Sequence, residues 1–231
     1  MNEPTENSPA TLLEIRDLVR RTSAGTVLLE HISVAVSPGE RWAVVGETGS
    51  GKTVLLRCLA LLDPWQGEIR WNGQELSATT IPEYRSRVMY LPQASPGVEG
   101  TVEDNLQLPF SLDIHKSRSY SREMTQSHLK QFRKNSDFLE RQFSDLSGGE
   151  RQILALLRAL QLAPQILLLD EAASALDPDS EQVFERLVQA WLAESSDRRA
   201  VLWVSHDESQ RRRVTDCEFR LEPRPVQETV S

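Results

Sequence analysis

The 231-residue sequence holds only two cysteines, Cys58 and Cys217, which excludes a disulfide framework and reads as two reduced thiols suited to the cytosol. It also lacks any apolar stretch near the roughly 18 residues needed to span a bilayer. With a mean hydropathy of -0.41, the chain is expected not to cross a membrane itself. Residues 1–9 are polar and lack the basic-then-apolar order of a secretory signal. Bases are outnumbered, 26 Lys and Arg against 34 Asp and Glu, for a formal net charge of -8. That balance argues against a broad nucleic-acid footprint, although a local basic patch survives such an average. Histidine is sparse, and His31, His115 and His128 have no ligand-like spacing.

What is present is alternation. The length fits one domain with a subdomain better than two independent domains. Residues 12–18 and 28–36 read as strands flanking Ser23-Ala24-Gly25-Thr26, and Ser37-Pro38-Gly39-Glu40 turns the chain into the apolar run Trp42-Ala43-Val44-Val45. Residues 51–62 read as a helix stopped by Asp63-Pro64, and 67–71 with Asn72-Gly73 predicts a strand entering a tight hairpin. From about 94 to 145 the chain turns polar, with apolar positions at helical spacing, and reads as an inserted helical subdomain. Together with the helix that follows, it extends to about 159. Strands return at 165–169 and 200–204, alternating with helices near 180–194 and 207–213, as in an α/β fold whose mostly parallel sheet is covered on both faces. A single domain over 12–221 is expected, with flexible termini at 1–11 and 222–231 and no internal repeats.

The segment Gly46-Glu47-Thr48-Gly49-Ser50-Gly51-Lys52-Thr53 fits the phosphate-loop pattern G-x-x-x-x-G-K-[ST] and directly follows the buried-strand run. Its glycines let backbone N–H groups turn inward around phosphates, and the helix that begins there points its positive end at them. Lys52 would neutralise the β and γ phosphates, and the Thr53 hydroxyl would bind magnesium. The plainer reading is a glycine-rich turn with an incidental lysine.

More than ninety residues on stand Leu146-Ser147-Gly148-Gly149-Glu150-Arg151-Gln152, ahead of an apolar helical stretch, and Ile166-Leu167-Leu168-Leu169-Asp170-Glu171, a buried strand ending in two carboxylates. Gln93 follows Val88-Met89-Tyr90-Leu91, Ser174-Ala175-Leu176-Asp177 follows the carboxylates, and His206 follows Val201-Leu202-Trp203-Val204. In this order the set resembles the ATP-binding cassette (ABC) family from about residue 12 to 221. The resemblance implies an α/β P-loop NTPase fold of the ABC ATPase type: a mostly parallel core, an antiparallel β subdomain and an inserted helical subdomain. It implies that ATP is bound by the 46–53 loop and that magnesium is held by Thr53, Gln93 and, through water, Asp170. Glu171 would polarise the attacking water, and His206 would meet the γ phosphate. Taken alone, Asp170-Glu171 could decorate a helix N-terminus, and a lone histidine is usually structural. Ser147-x-x-Glu150 is also a capping box. Both readings can hold, since the resemblance implies that Ser147, Gly148 and Gly149 serve ATP held by a second copy in a head-to-tail homodimer.

One family feature is missing. Before the second strand, Leu18-Val19-Arg20-Arg21-Thr22-Ser23 offers no aromatic residue to stack on adenine. Arg21 is the candidate replacement, against the plain alternative that Arg20 and Arg21 are solvated charges. Short segments, Glu83-Tyr84-Arg85, Thr101-Val102-Glu103-Asp104-Asn105-Leu106 and Val201-Leu202-Trp203-Val204-Ser205-His206-Asp207, are similar to the Fet-type iron-export ATPase branch. The resemblance therefore implies an ATPase subunit that powers transport, with metal export as the candidate cargo. It would sit at the cytoplasmic face of the membrane on an integral-membrane permease. The rival classes are a soluble ABC ATPase acting on ribosomes or nucleic acid, and an ATP-binding subunit without turnover. Residues 93–109 are the candidate coupling segment: Thr101 and Asp104 would cap the next helix, and Val98, Leu106, Leu108 and Phe110 are candidates for a partner groove or for simple packing.

Overall fold

The computed structural model describes residues 11–222, so the expected flexible termini lie, apart from Thr11 and Glu222, outside the described residues. In chain order it begins β1 (Leu13–Arg21), β2 (Val27–Val36), β3 (Arg41–Val45), α1 (Lys52–Leu59), β4 (Gln66–Trp71) and β5 (Gln74–Glu75). Next come α2 (Ile81–Arg87), β6 (Val88–Leu91), α3 (Val102–Gln107), α4 (Arg122–Gln131) and α5 (Gly148–Gln161). The chain closes with β7 (Ile166–Asp170), α6 (Pro178–Ala193), β8 (Ala200–Val204), α7 (Glu208–Val214) and β9 (Cys217–Arg220).

Two sheets result. One is antiparallel, in the order β2-β1-β4-β5, and the other has five parallel strands, in the order β6-β7-β8-β3-β9. Every residue of β7 and β8 is buried, as both-faced burial of a parallel strand demands. The pleat then sorts them. Leu167, Leu169, Val201 and Trp203 pack with α5, α6 and the helical segment, while Ile166, Leu168, Ala200, Leu202 and Val204 pack with α1 and the antiparallel sheet. Two cores therefore share one sheet, and the loops that carry Gln93, Glu171 and His206 emerge where its strands end.

The Asn72-Gly73 hairpin forms as expected, with both turn residues at positive φ, 50 and 75, and Trp71 paired to Gln74. Three elements differ from expectation. β1 runs on to Arg21 because bulges near Asp17 and beyond Leu18 let its pairing with β2 continue past the apolar run. α2 was hidden in a short polar stretch; its anchors are Tyr84, fully buried with its hydroxyl donating 2.6 Å to the Leu59 carbonyl, and Trp71 packed edge-on against the ring. β9 extends the sheet beside β3 through long-range pairing that its alternating half-exposed residues do not advertise. Within 94–145, α3 and α4 are joined by irregular chain and short 3-10 turns, and the segment packs through Leu106, Leu129, Phe138 and Leu139 onto α5.

Candidate functional site

β3 ends at Val45, and the loop that follows needs glycine at Gly51, where φ is 105 and any Cβ would lie 2.7 Å from the Leu29 side chain. The chain then enters α1 at Lys52. That lysine is buried, and its ammonium donates to the carbonyls of Gly46 at 2.8 Å and Glu47 at 2.9 Å, so the charge is held inside the loop. Ser50 is buried too, and its hydroxyl has no partner. Glu47, Thr48, Gly49 and Thr53 face outward. An orphan hydroxyl, a caged ammonium and a helix N-terminus in one loop fit a bound phosphate chain.

Across from α1, β7 delivers Asp170, only 4% exposed. Its two oxygens are divided. The Thr53 hydroxyl donates to Oδ1 at 3.1 Å and the Tyr90 hydroxyl to Oδ2 at 2.8 Å. Burial and the adjoining carboxylate both raise the Tyr90 phenol, which therefore stays a donor. A hydroxyl and a carboxylate side by side make a hard oxygen donor set of the kind magnesium takes.

Glu171 comes next and sits at φ 51, a left-handed conformation uncommon for glutamate, with its N–H donating 3.0 Å to the Val204 carbonyl. The turn carries its carboxylate to a meeting of strand ends. Gln93, just past β6, donates its amide to Oε2 at 2.9 Å, and His206, just past β8, places Nε2 2.8 Å from Oε1. Loops at the carboxyl ends of parallel strands are where open α/β sheets place ligands. The structure thus joins Gln93, Glu171 and His206 in one cluster, and Thr53 and Asp170 in a second.

Ser147, Gly148 and Gly149 stand at the start of α5, on an exposed corner. The capping box is formed in both directions, Glu150 N–H to Ser147 Oγ at 3.2 Å and Ser147 N–H to Glu150 Oε2 at 3.0 Å. Burial would raise the Glu150 carboxyl, but hydrogen bonds from Arg141 and Lys134 outweigh it and hold the group at about 2. At Gly149 a Cβ would meet the Ala175 carbonyl at 2.6 Å, so α5 presses directly on the 174–177 loop. Asp177 ends that loop by capping α6, accepting from Ser180 N–H at 3.0 Å. No hydrogen bond joins the 147–149 corner to the 46–53 loop among the described residues. Arg21 ends β1 exposed, its backbone paired to Val27 and its carbonyl taken by the Arg20 guanidinium.

Two contributors escaped the sequence reading as site residues. Gln152, 1% exposed, donates to the carbonyls of Gln93 at 3.0 Å and Glu171 at 3.3 Å and accepts from Ala175 N–H at 3.0 Å. One amide on α5 therefore ties the loop after β6 to two points of the loop after β7. The signal was a polar residue on the buried side of an amphipathic helix. Tyr90 is the other; its polar tip in a strand otherwise apolar was the corresponding signal.

The ABC transporter family model matches residues 29–174. The chain is 35% identical over 217 residues to YjkB of Bacillus subtilis (strain 168), by name an ABC transporter ATP-binding protein, covering 93% of this chain and 84% of that one. To FetA of Escherichia coli (strain K12), by name an iron export ATP-binding protein, it is 32% identical over 206 residues, covering 89% and 88%. Among solved structures, an ATP-binding subunit of an ABC transporter superposes with a TM-score of 0.79 at 25% identity, covering 91% of this chain and 86% of the other.

Proposed function

Because the chain belongs to the ABC transporter family, as an ATP-binding and ATP-hydrolysing subunit, we propose that the Glu171 cluster performs the hydrolysis and that the energy drives a separate membrane partner that exports metal. The observation that carries this reading is the grip on Glu171, whose two carboxylate oxygens are each held by a side chain from a different strand end. A carboxylate aimed this way is suited to accept a hydrogen bond from an attacking water and then its proton.

The 46–53 loop binds the phosphates of ATP through its backbone N–H groups, and Lys52 gives its ammonium to the β and γ phosphates. Thr53, Asp170 and Gln93 are the residues that would hold magnesium, which when bound neutralises charge developing on the phosphates. Gln93 and His206 keep Glu171 aimed, and His206 also offers an N–H to the γ-phosphate side. Arg21 supplies the flat face for adenine. The exposed Ser147-Gly148-Gly149 corner serves the nucleotide of a second copy, so two chains head to tail complete two sites.

No described helix is long and apolar enough to cross a membrane. In this reading the chain works at the cytoplasmic face on an integral-membrane partner, and the cargo path lies in that partner. Similarity to FetA favours iron as the cargo. Residues 93–109 couple the two: α3 is seated by the Thr101–Asp104 capping box, Val98 and Leu108 are each 44% exposed, and Leu106 is fully buried in the subdomain core. The reading is tested by iron content in cells lacking the chain. Wild type is expected to restore efflux and Glu171→Gln to fail; equal restoration by both would reject ATP-driven export.

A further inference from the structure

His206 reaches Glu171 from a loop that is fastened to the helix after it. Asp207 caps α7, its Oδ1 accepting from Ser209 N–H at 2.7 Å, while its own N–H donates to Ser205 Oγ at 3.0 Å and the Arg211 guanidinium donates to the Ser205 carbonyl at 2.9 Å. Wherever α7 sits, Ser205-His206-Asp207 goes with it. Yet α7 has seven residues and a single apolar one, the buried Val214, too little to hold its own orientation.

What seats α7 is polar. Glu181 and Glu185 lie one turn apart on α6, and Glu185 and, facing it from α7, Gln210 are each 5% exposed. The Gln210 amide donates to Glu181 Oε1 at 3.0 Å and to Glu185 Oε1 at 3.2 Å. The Arg213 guanidinium donates to the same two oxygens at 3.0 and 2.8 Å and reaches Glu185 Oε2 at 3.3 Å. Two carboxylates at this spacing repel, and burial together with Glu185 raises the Glu181 carboxyl. One cation and one amide from α7 answer both acids, so the pair is satisfied in a single seating of that helix. An apolar contact of the same size would hold α7 as firmly but, being non-directional, would let it slide or turn.

We propose that Glu181, Glu185, Gln210 and Arg213 are positioning residues for hydrolysis: the clamp they form between α6 and α7 fixes the loop that puts His206 Nε2 2.8 Å from Glu171 Oε1. The proposal rests on the hydrolysis reading above, in which His206 keeps Glu171 aimed. None of the four side chains hydrogen-bonds to the 46–53 loop, Asp170 or Glu171 among the described residues, so the clamp acts on turnover and not on nucleotide affinity.

Steady-state hydrolysis by the full chain with ATP and magnesium tests it. Arg213→Met keeps the aliphatic stem and removes the fork; kcat should fall about tenfold with KM for ATP changed less than about twofold. Arg213→Lys retains a charge without the fork and should recover part of the loss. In a His206→Ala background, Arg213→Met should cost nothing further, because the clamp acts through that imidazole. A single change at a buried ion pair also loosens the fold, so Glu181→Met, Glu185→Leu, Gln210→Leu and Arg213→Met are combined as a second variant. This apolar seat should match wild type in thermal stability and still turn over about tenfold more slowly. A wild-type rate in the combined variant, or a full additional loss on top of His206→Ala, overturns the clamp while leaving the hydrolysis reading intact. Wild-type turnover by His206→Ala alone removes the role given to His206 in that reading, and the clamp with it.

Discussion

His206 Nε2 lies 2.8 Å from Glu171 Oε1, which ties the exit of β8 to the exit of β7 across 35 positions of sequence. Gln93 holds the other carboxylate oxygen from the exit of β6. Glu171 is thus aimed from both sides, and its left-handed backbone, φ 51, is the strain that puts it there.

Removing one side of that grip should cost turnover more than binding. His206→Ala is expected to lower ATP hydrolysis roughly a hundredfold or more, with nucleotide affinity changed little, because the phosphate contacts proposed for Lys52 and the loop remain. Single-turnover hydrolysis alongside equilibrium binding of a labelled nucleotide separates the two. A parallel loss of affinity would mean that His206 acts in binding.

Tyr90→Phe deletes one hydroxyl from a half-buried ring and leaves Asp170 Oδ2 without its donor. Thermal stability should change by about 1 kcal/mol. The magnesium concentration giving half-maximal hydrolysis should rise several-fold, while metal-free ATP binding stays as in wild type. An unchanged magnesium requirement would confine Tyr90 to packing.

Glu150 contributes a pH-dependent share of stability. Its carboxyl is held at about 2 against an ordinary 4.5, so it is lowered on folding. Such a group stabilises fully above its unfolded value and loses that contribution as pH falls through the folded one, here between 4.5 and about 2. Glu150→Gln should therefore cost roughly 2 kcal/mol at neutral pH. Wild type and variant should converge in denaturant titrations as the pH approaches the folded value. A gap that persists there would mean the loss comes from packing and not from charge.

Arg21 is exposed at the end of β1. If its guanidinium faces adenine, Arg21→Ala should weaken ATP binding a few-fold and Arg21→Tyr should restore it, because either residue offers a flat face worth about 1 kcal/mol. Equal affinity in all three proteins would leave Arg21 as a solvated charge.

Much of this fold could be read from local pattern. The apolar runs of β3, β7 and β8 are unbroken because both faces of a parallel strand are buried, and Asn72-Gly73 names its own turn. α2 and β9 could not be read this way. Tyr84 and Trp71 meet only after folding, and β9 is defined by pairing with β3, which lies more than 170 positions earlier. The same distinction divides the site. Thr53, Asp170, Glu171, Gln93 and His206 stand in recognisable motifs, whereas Gln152 and Tyr90 reveal themselves only through the partners that the sheet brings to them.

The most direct test is size-exclusion chromatography of Glu171→Gln with ATP and magnesium. This substitution keeps the shape of the side chain and removes the charge that would take the proton, so ATP should bind and persist. The variant is expected to elute as a dimer with ATP and as a monomer with ADP, with hydrolysis nearly abolished. A protein that stays monomeric with ATP and hydrolyses it at the wild-type rate would contradict both the role of Glu171 and the site shared between two chains.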